Sequence, residues 1–153
     1  MPIGSSWTPI SIFDALSAQF DTFIMGRHTF EVAGAMGSGA AKTFVFSRTF
    51  RPEQFPNVTI VSEVLAQTVA PIRAQASKDI WLFGGGTLFR SFLDAGLVDT
   101  VEVAVMPVLL GGGVPLLPHP AQRKALELNG HRVYKTGVVS LAYSVKKPPA
   151  KRR

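Results

Sequence analysis

The chain has no cysteine, which excludes disulfide staples, thiolate metal sites and cysteine nucleophiles. It is also poor in charge. Charged residues make 17% of the 153 positions and hydrophobic residues 46%, a composition that suits a packed core and not a disordered chain. No apolar run reaches the roughly 20 residues of a membrane-spanning helix, and no charged-then-apolar leader opens the sequence. The expectation is therefore a cytoplasmic protein with no membrane partner. His28, His119 and His131 are the three histidines and share no metal-ligating spacing, so no metal is expected. The length allows one domain with one sizeable core.

Acidic residues are fewer than basic ones, 10 against 16, and the net charge is +6. Five of the basic residues, Lys146, Lys147, Lys151, Arg152 and Arg153, lie in the last eight positions. Without them the body of the chain is nearly neutral. Such a proline-containing run (146–153) reads as a basic disordered tail, not as a nucleic-acid-binding face, and no nucleic-acid partner is expected.

Residues 1–9 have no periodicity and read as an irregular lead-in. Ser11 to Phe20 reads as a short helix, capped by Ser11, with Ile12, Leu16 and Phe20 on one face. Asp21 to Met25 reads as a buried strand that stops at Gly26, followed by a helix over Arg27 to Ala33 and a small-residue loop over Gly34 to Ala41. Strands are predicted at Thr43 to Phe46, Asn57 to Val61 and Asp79 to Phe83. A helix capped by Ser62 runs toward Ala76, with Pro71 expected to kink or shorten it. Gly84, Gly85 and Gly86 form a turn before a helix over Thr87 to Leu93. Val98 to Pro107 alternates like a strand, Leu109 to Leu117 is a glycine-centred loop, and Ala125 to Tyr134 pairs with Val138 to Lys146 as a hairpin. Short apolar strands alternating with helices predict an α/β fold. The sheet is expected to be mostly parallel, with an antiparallel hairpin at its C-terminal end.

Three strand ends share one chemistry. Met25-Gly26-Arg27-His28-Thr29 joins a glycine, a guanidinium and a hydroxyl at a helix start. Phe46-Ser47-Arg48-Thr49 places a hydroxyl and a guanidinium just past a strand. Phe83-Gly84-Gly85-Gly86-Thr87 removes side chains from between a ligand and the backbone amides. The carboxyl ends of strands are the ligand-binding edge of an open α/β sheet, and helix starts favour phosphate. Together they suggest a dinucleotide bearing an additional phosphate. Each alone is weak: the glycine turn is neither the dinucleotide GxGxxG, since Phe89 stands at its last glycine, nor a P-loop.

At these residues the chain resembles the dihydrofolate reductase-like superfamily. Ile24-Met25-Gly26-Arg27-His28-Thr29-Phe30-Glu31 is similar to that family's IMGRxTWE segment. Phe46-Ser47-Arg48 and Ile80 to Gly86 are similar to its nucleotide-binding strand ends. Met106 to Leu116 resembles the branch that includes the reductase domain of the bifunctional riboflavin-biosynthesis deaminase-reductase. The resemblance implies a three-layer αβα fold and an NADPH-dependent reductase. Hydride would pass to a small heterocyclic, pteridine- or pyrimidine-like substrate. It implies cofactor contacts from Gly26, Arg27, His28 and Thr29, and from Ser47 and Arg48 at the adenosine 2′-phosphate. Gly84, Gly85, Gly86, Thr87 and Leu88 would lie along the pyrophosphate and nicotinamide, with a cis peptide between Gly84 and Gly85. Leu109 to Leu117 reads either as an apolar dimer surface or as a substrate-side loop; the resemblance also implies a homodimer, which favours the dimer surface.

The sequence departs from this family at several places. Only about ten residues precede the first helix, so residues 1–145 are expected to form the reductase domain without its first strand. The place of the family's helix-borne carboxylate falls near Ile10, that of its folate-gripping arginine near Ala41, and that of its tyrosine after the glycine turn at Phe89. These departures count against folate, and no catalytic residue is named. They leave a second expectation open, a catalytically incomplete nucleotide-binding module.

Overall fold

The apolar run that stops at Gly26 is a strand. In the computed structural model, which describes residues 16–35 and 41–146, it spans Phe20–Gly26 (β1). Helix α1 (Arg27–Ala33) follows directly, then β2 (Lys42–Phe46), a single 3-10 turn at Pro52–Gln54, and β3 (Thr59–Val61). Helix α2 (Ala66–Gln75) leads to β4 (Asp79–Gly84) and α3 (Gly86–Asp94). Contacts divide the chain after Phe89, within α3, into two units.

The first unit holds a four-stranded parallel sheet in the order β3-β2-β1-β4. A central parallel strand is covered on both faces and reads as a continuous apolar run. β1 fits this: Thr22, Phe23, Ile24 and Met25 are all buried. Alternation sends Phe23 and Met25 to one face, where they meet Val45 of β2 in a cluster completed by Phe30, Ile60, Trp81 and Phe83. Ile24 and Phe44, both buried, point to the other face.

Two local expectations change. Phe20 belongs to β1 and not to a helix. It pairs with Asp79 of β4, and its ring lies 5.0 Å from that of Trp81, so strand pairing overrides the helical spacing. Leu16 and Ser17 are helical, while Ser11 and Ile12 lie outside the described residues. Helix α2 starts at Ala66, four residues after Ser62. The Thr68 hydroxyl sets this start: it accepts from the Leu65 N–H at 3.0 Å and donates toward the Leu65 and Glu63 carbonyls at 2.8 and 2.9 Å. Pro71 sits within the shortened helix on its exposed side, while Val69 and Ile72 are buried.

The second unit holds a three-stranded antiparallel sheet in the order β5-β7-β6, with β5 at Thr100–Val105, β6 at Leu126–Val133 and β7 at Val139–Val145. The antiparallel part is thus larger than a hairpin, because β5 pairs with β7 along its whole length. The β6–β7 turn closes with the Gly137 N–H donating to the Tyr134 carbonyl at 2.9 Å. Gly137 has φ 85°, and a Cβ there would come within 3.3 Å of Pro107, so this turn needs glycine on both counts. Between β5 and β6 a long irregular segment is tied to α3 by Arg90. Its guanidinium donates to the Pro118, His119 and Pro120 carbonyls at 3.4, 3.1 and 3.2 Å.

Candidate functional site

Three neighbouring parallel strands bring the three turns to one edge. In the ladder Gly26 of β1 is level with Phe46 of β2, and Met25 is level with Gly84 of β4. Strands lie about 4.8 Å apart, so the turns after β2, β1 and β4 occupy a front roughly 10 Å wide. Gly26, Arg27, His28 and Thr29 form the cap and first turn of α1 at its centre. Ser47 and Arg48 stand on one side and Gly84, Gly85 and Gly86 on the other.

The glycines let the backbones approach. A Cβ on Gly26 would lie 3.8 Å from the Gly84 carbonyl oxygen, the Gly85 nitrogen and the Leu88 Cβ. A Cβ on Gly85 would lie 3.6 Å from the Thr29 hydroxyl. Thr29 and the glycine turn therefore border one groove, which a side chain on Gly85 would narrow. The Gly84–Gly85 peptide is cis. Gly86 is the first residue of α3, so the turn is one residue shorter than the three glycines suggested. Gly85 and Thr87 are exposed, whereas Leu88 is buried and stands against Gly26 as a packing residue.

Ser47 is buried as well, and its hydroxyl is engaged. It accepts from the Thr49 N–H at 3.2 Å and from the Phe50 N–H at 3.0 Å. Such a bond stiffens a short turn, so Ser47 shapes the loop that presents Arg48. Arg48 is exposed, and among the described residues no ion-pair partner is found for it.

Arg27 and His28 are arranged differently. Arg27 bonds Glu31 at 3.1 Å and the His28 Nε2 at 3.0 Å, and the His28 Nδ1 bonds Glu31 at 3.1 Å. An arginine can only donate, so Nε2 accepts and the neutral ring carries its proton on Nδ1, which donates to the carboxylate. The α1 cap is Gly26, which has no side chain to cap the first-turn N–H groups. Glu31 was not among the expected site residues. Its signal lies in the spacing, since a carboxylate four residues after an arginine on a helix faces it.

Two clefts lie elsewhere. A cleft of about 320 Å³ is lined by Phe30, Ala35 and residues 54–58, and a smaller one of about 230 Å³ by the starts of β2 and β3. None of the three turns lines either. Both clefts are shallow and show no convergent charged groups, so the strand-end groove is the better candidate site. Among the described residues no three His, Asp or Glu side chains converge as a metal site, and no helix is long and apolar enough to cross a membrane.

Residues 4–140 match a family model described as the RibD C-terminal domain. The uncharacterised protein YyaP of Bacillus subtilis (strain 168) is 31% identical, over 82% of this chain and 74% of that protein. Two solved structures share the fold. One, a provisionally described riboflavin biosynthesis protein from Shewanella sp. PV-4, superposes with a TM-score of 0.73 at 23% identity, over 96% of this chain and 84% of that one. The other, a pyrimidine reductase-like protein from Corynebacterium diphtheriae, has a TM-score of 0.66 at 14% identity, over 94% and 83%.

Proposed function

The chain belongs to the RibD C-terminal domain family, and on that premise we propose that it is an NADPH-dependent reductase acting on a small pyrimidine- or pteridine-like heterocycle. The observation that carries this reading is the alignment of three turns at the carboxyl ends of β2, β1 and β4. A dinucleotide with a third phosphate needs anion contacts at several points along one edge, and the turns offer them in a row. The groove also suits it sterically, because a Cβ on Gly85 would fall against Thr29. When bound, the dinucleotide supplies a hydride at its nicotinamide ring.

The chain's own residues bind and orient. Arg48, held on the turn that Ser47 fixes, meets the 2′-phosphate as an exposed guanidinium. Arg27 and Thr29 meet the phosphates at the start of α1, and the backbone of Gly84 to Gly86 lets the pyrophosphate lie close. The substrate class is supported by the family and by the fold shared with a pyrimidine reductase-like protein.

The same reading includes a homodimer. Met106 to Leu117 carries no charged or polar side chain, and Leu109, Leu110 and Val114 are 103, 81 and 96% exposed. Val105, Met106, Val108 and Leu116 are more than half exposed as well, and exposed apolar side chains gathered in one segment favour an interaction surface. An uncharged patch is complementary to its own copy, as a twofold interface requires.

The test is titration with NADPH and NADH. NADPH is expected to bind more tightly, and Arg48→Ala to remove about tenfold to a hundredfold of that preference, the worth of a charge-assisted hydrogen bond. If neither dinucleotide binds below millimolar concentration, or if Arg48→Ala leaves the preference unchanged, the reading is overturned. NADPH binding without oxidation, in the presence of the riboflavin-pathway pyrimidine, would favour a binding module of the same fold.

A further inference from the structure

Arg27, His28 and Glu31 close a ring on the exposed face of α1. The two terminal nitrogens of Arg27 go one to Glu31 Oε1 at 3.1 Å and one to His28 Nε2 at 3.0 Å, and His28 Nδ1 reaches Glu31 Oε2 at 3.1 Å. Both carboxylate oxygens are used. The guanidinium fork, which is the geometry that recognises a phosphate, is therefore occupied by a carboxylate and an imidazole of the same helix. We propose that Glu31 is a resident anion on Arg27, a built-in competitor that the cofactor's phosphate displaces, and so a residue that sets cofactor affinity. This rests on the reading of the strand-end turns as a phosphate site.

Two features of the ring support it. Its charge sums to zero, since the imidazole is neutral in this arrangement. An arriving dinucleotide therefore meets no net positive charge from this helix turn until the pair opens. The pair is also weak enough to open. Arg27 and Glu31 keep 39% and 41% of their side-chain surface exposed, and His28 keeps 82%. An exposed pair four residues apart on a helix is screened by water and contributes little to stability. The pyrophosphate of a dinucleotide carries two charges and offers four non-bridging oxygens, against one charge and two oxygens on the carboxylate, so it wins the exchange at moderate concentration. Arg48, on the neighbouring turn, has no such rival among the described residues. The two arginines thus play different parts: Arg48 is ready before binding, and Arg27 becomes available during it.

The experiment is a double-mutant cycle on the full chain, with the NADPH dissociation constant read by cofactor fluorescence and thermal unfolding measured alongside. Glu31→Gln keeps the shape and removes the charge, and it is expected to tighten NADPH about two- to fivefold, the scale of an exposed ion pair. In the Arg27→Ala background the same change is expected to do nothing, because the site of competition is gone. A merely structural Glu31 would instead lower the unfolding temperature of Glu31→Gln and leave affinity unchanged or weaker. If wild type binds NADPH and Glu31→Gln fails to tighten it, the inference is overturned while the phosphate reading stands. If tightening persists with Arg27→Ala, competition at Arg27 is likewise overturned. If wild type does not bind NADPH at all, the phosphate reading itself has failed, and the inference with it.

Discussion

In the first unit Phe23, Met25 and Val45 have no exposed surface, whereas in the second Leu109 and Val114 are almost fully exposed. The same kind of side chain serves opposite ends. The parallel sheet is covered on both faces, so its central strands are continuous apolar runs, and the turns at their ends inherit a fixed position from close packing. The antiparallel sheet is only half-buried at its central strand β7 and largely exposed at β6. What the first unit uses to hold its turns in place, the second displays as surface. Binding geometry is therefore expected to depend on the core of the first unit, and association on the apolar face of the second.

The largest effect that would break this contrast is a truncation in the parallel core. Phe23→Ala removes a side chain packed against Met25, Val45 and Trp81. It is expected to cost about 3–5 kcal/mol, the range for emptying an aromatic site in a core. A urea titration checks this, and a loss below about 1 kcal/mol would mean that the cluster relaxes into the space.

How much of this was legible in the sequence follows from the same contrast. β1, α1, β2 and β4 were read within one or two residues of their ends, because a buried strand that stops at glycine carries its own boundary. The row of turns was legible for a similar reason: glycine, hydroxyl and guanidinium recur at three strand ends, and topology then places those ends side by side. Phe20 was misread because its partner Asp79 is far away in sequence, and helical spacing cannot register a distant pairing. The start of α2 was misread because the Thr68 hydroxyl, not Ser62, fixes it. The state of Arg27 was not legible either. Its bonds to Glu31 and His28 are side-chain geometry, and the sequence motif gives the presence of a cation but not its existing partner.

A second prediction sharpens the contrast from the other side. Leu109→Glu and Leu110→Glu place charge on the apolar segment of the second unit. Because these side chains are 103% and 81% exposed, each change is expected to alter the stability of the folded chain by no more than about 0.5 kcal/mol. Their expected effect is on mass: sedimentation or light scattering should show a dimer for wild type and a monomer for the variants, since like charges would face each other across a twofold axis. A dimer that survives both changes would remove this segment from the interface and leave its exposure without a partner.

The smallest expected effect concerns the link between β1 and the turn that enters β4. Asp21, at the start of β1, accepts the Ser77 N–H at 2.8 Å and the Thr22 hydroxyl at 2.9 Å. The Ser77 amide bond is the main reason its carboxyl is held below the ordinary aspartate range, against an opposing desolvation and with help from the Thr22 hydroxyl. The sign follows from linkage. A lowered folded-state pKa means that the ionised group favours the folded chain, so its contribution is full above the ordinary value of about 3.9 and is lost as pH falls through the lower folded value. Asp21→Asn should therefore melt slightly below wild type near neutral pH, and the two melting temperatures should converge in acid. The side chain lies on the surface, where water screens it, so the gap is expected to be small beside that of Phe23→Ala. A gap of constant size down to the lowest pH would show that the shape of the Asp21 side chain, and not its charge, holds β1 to the turn before β4.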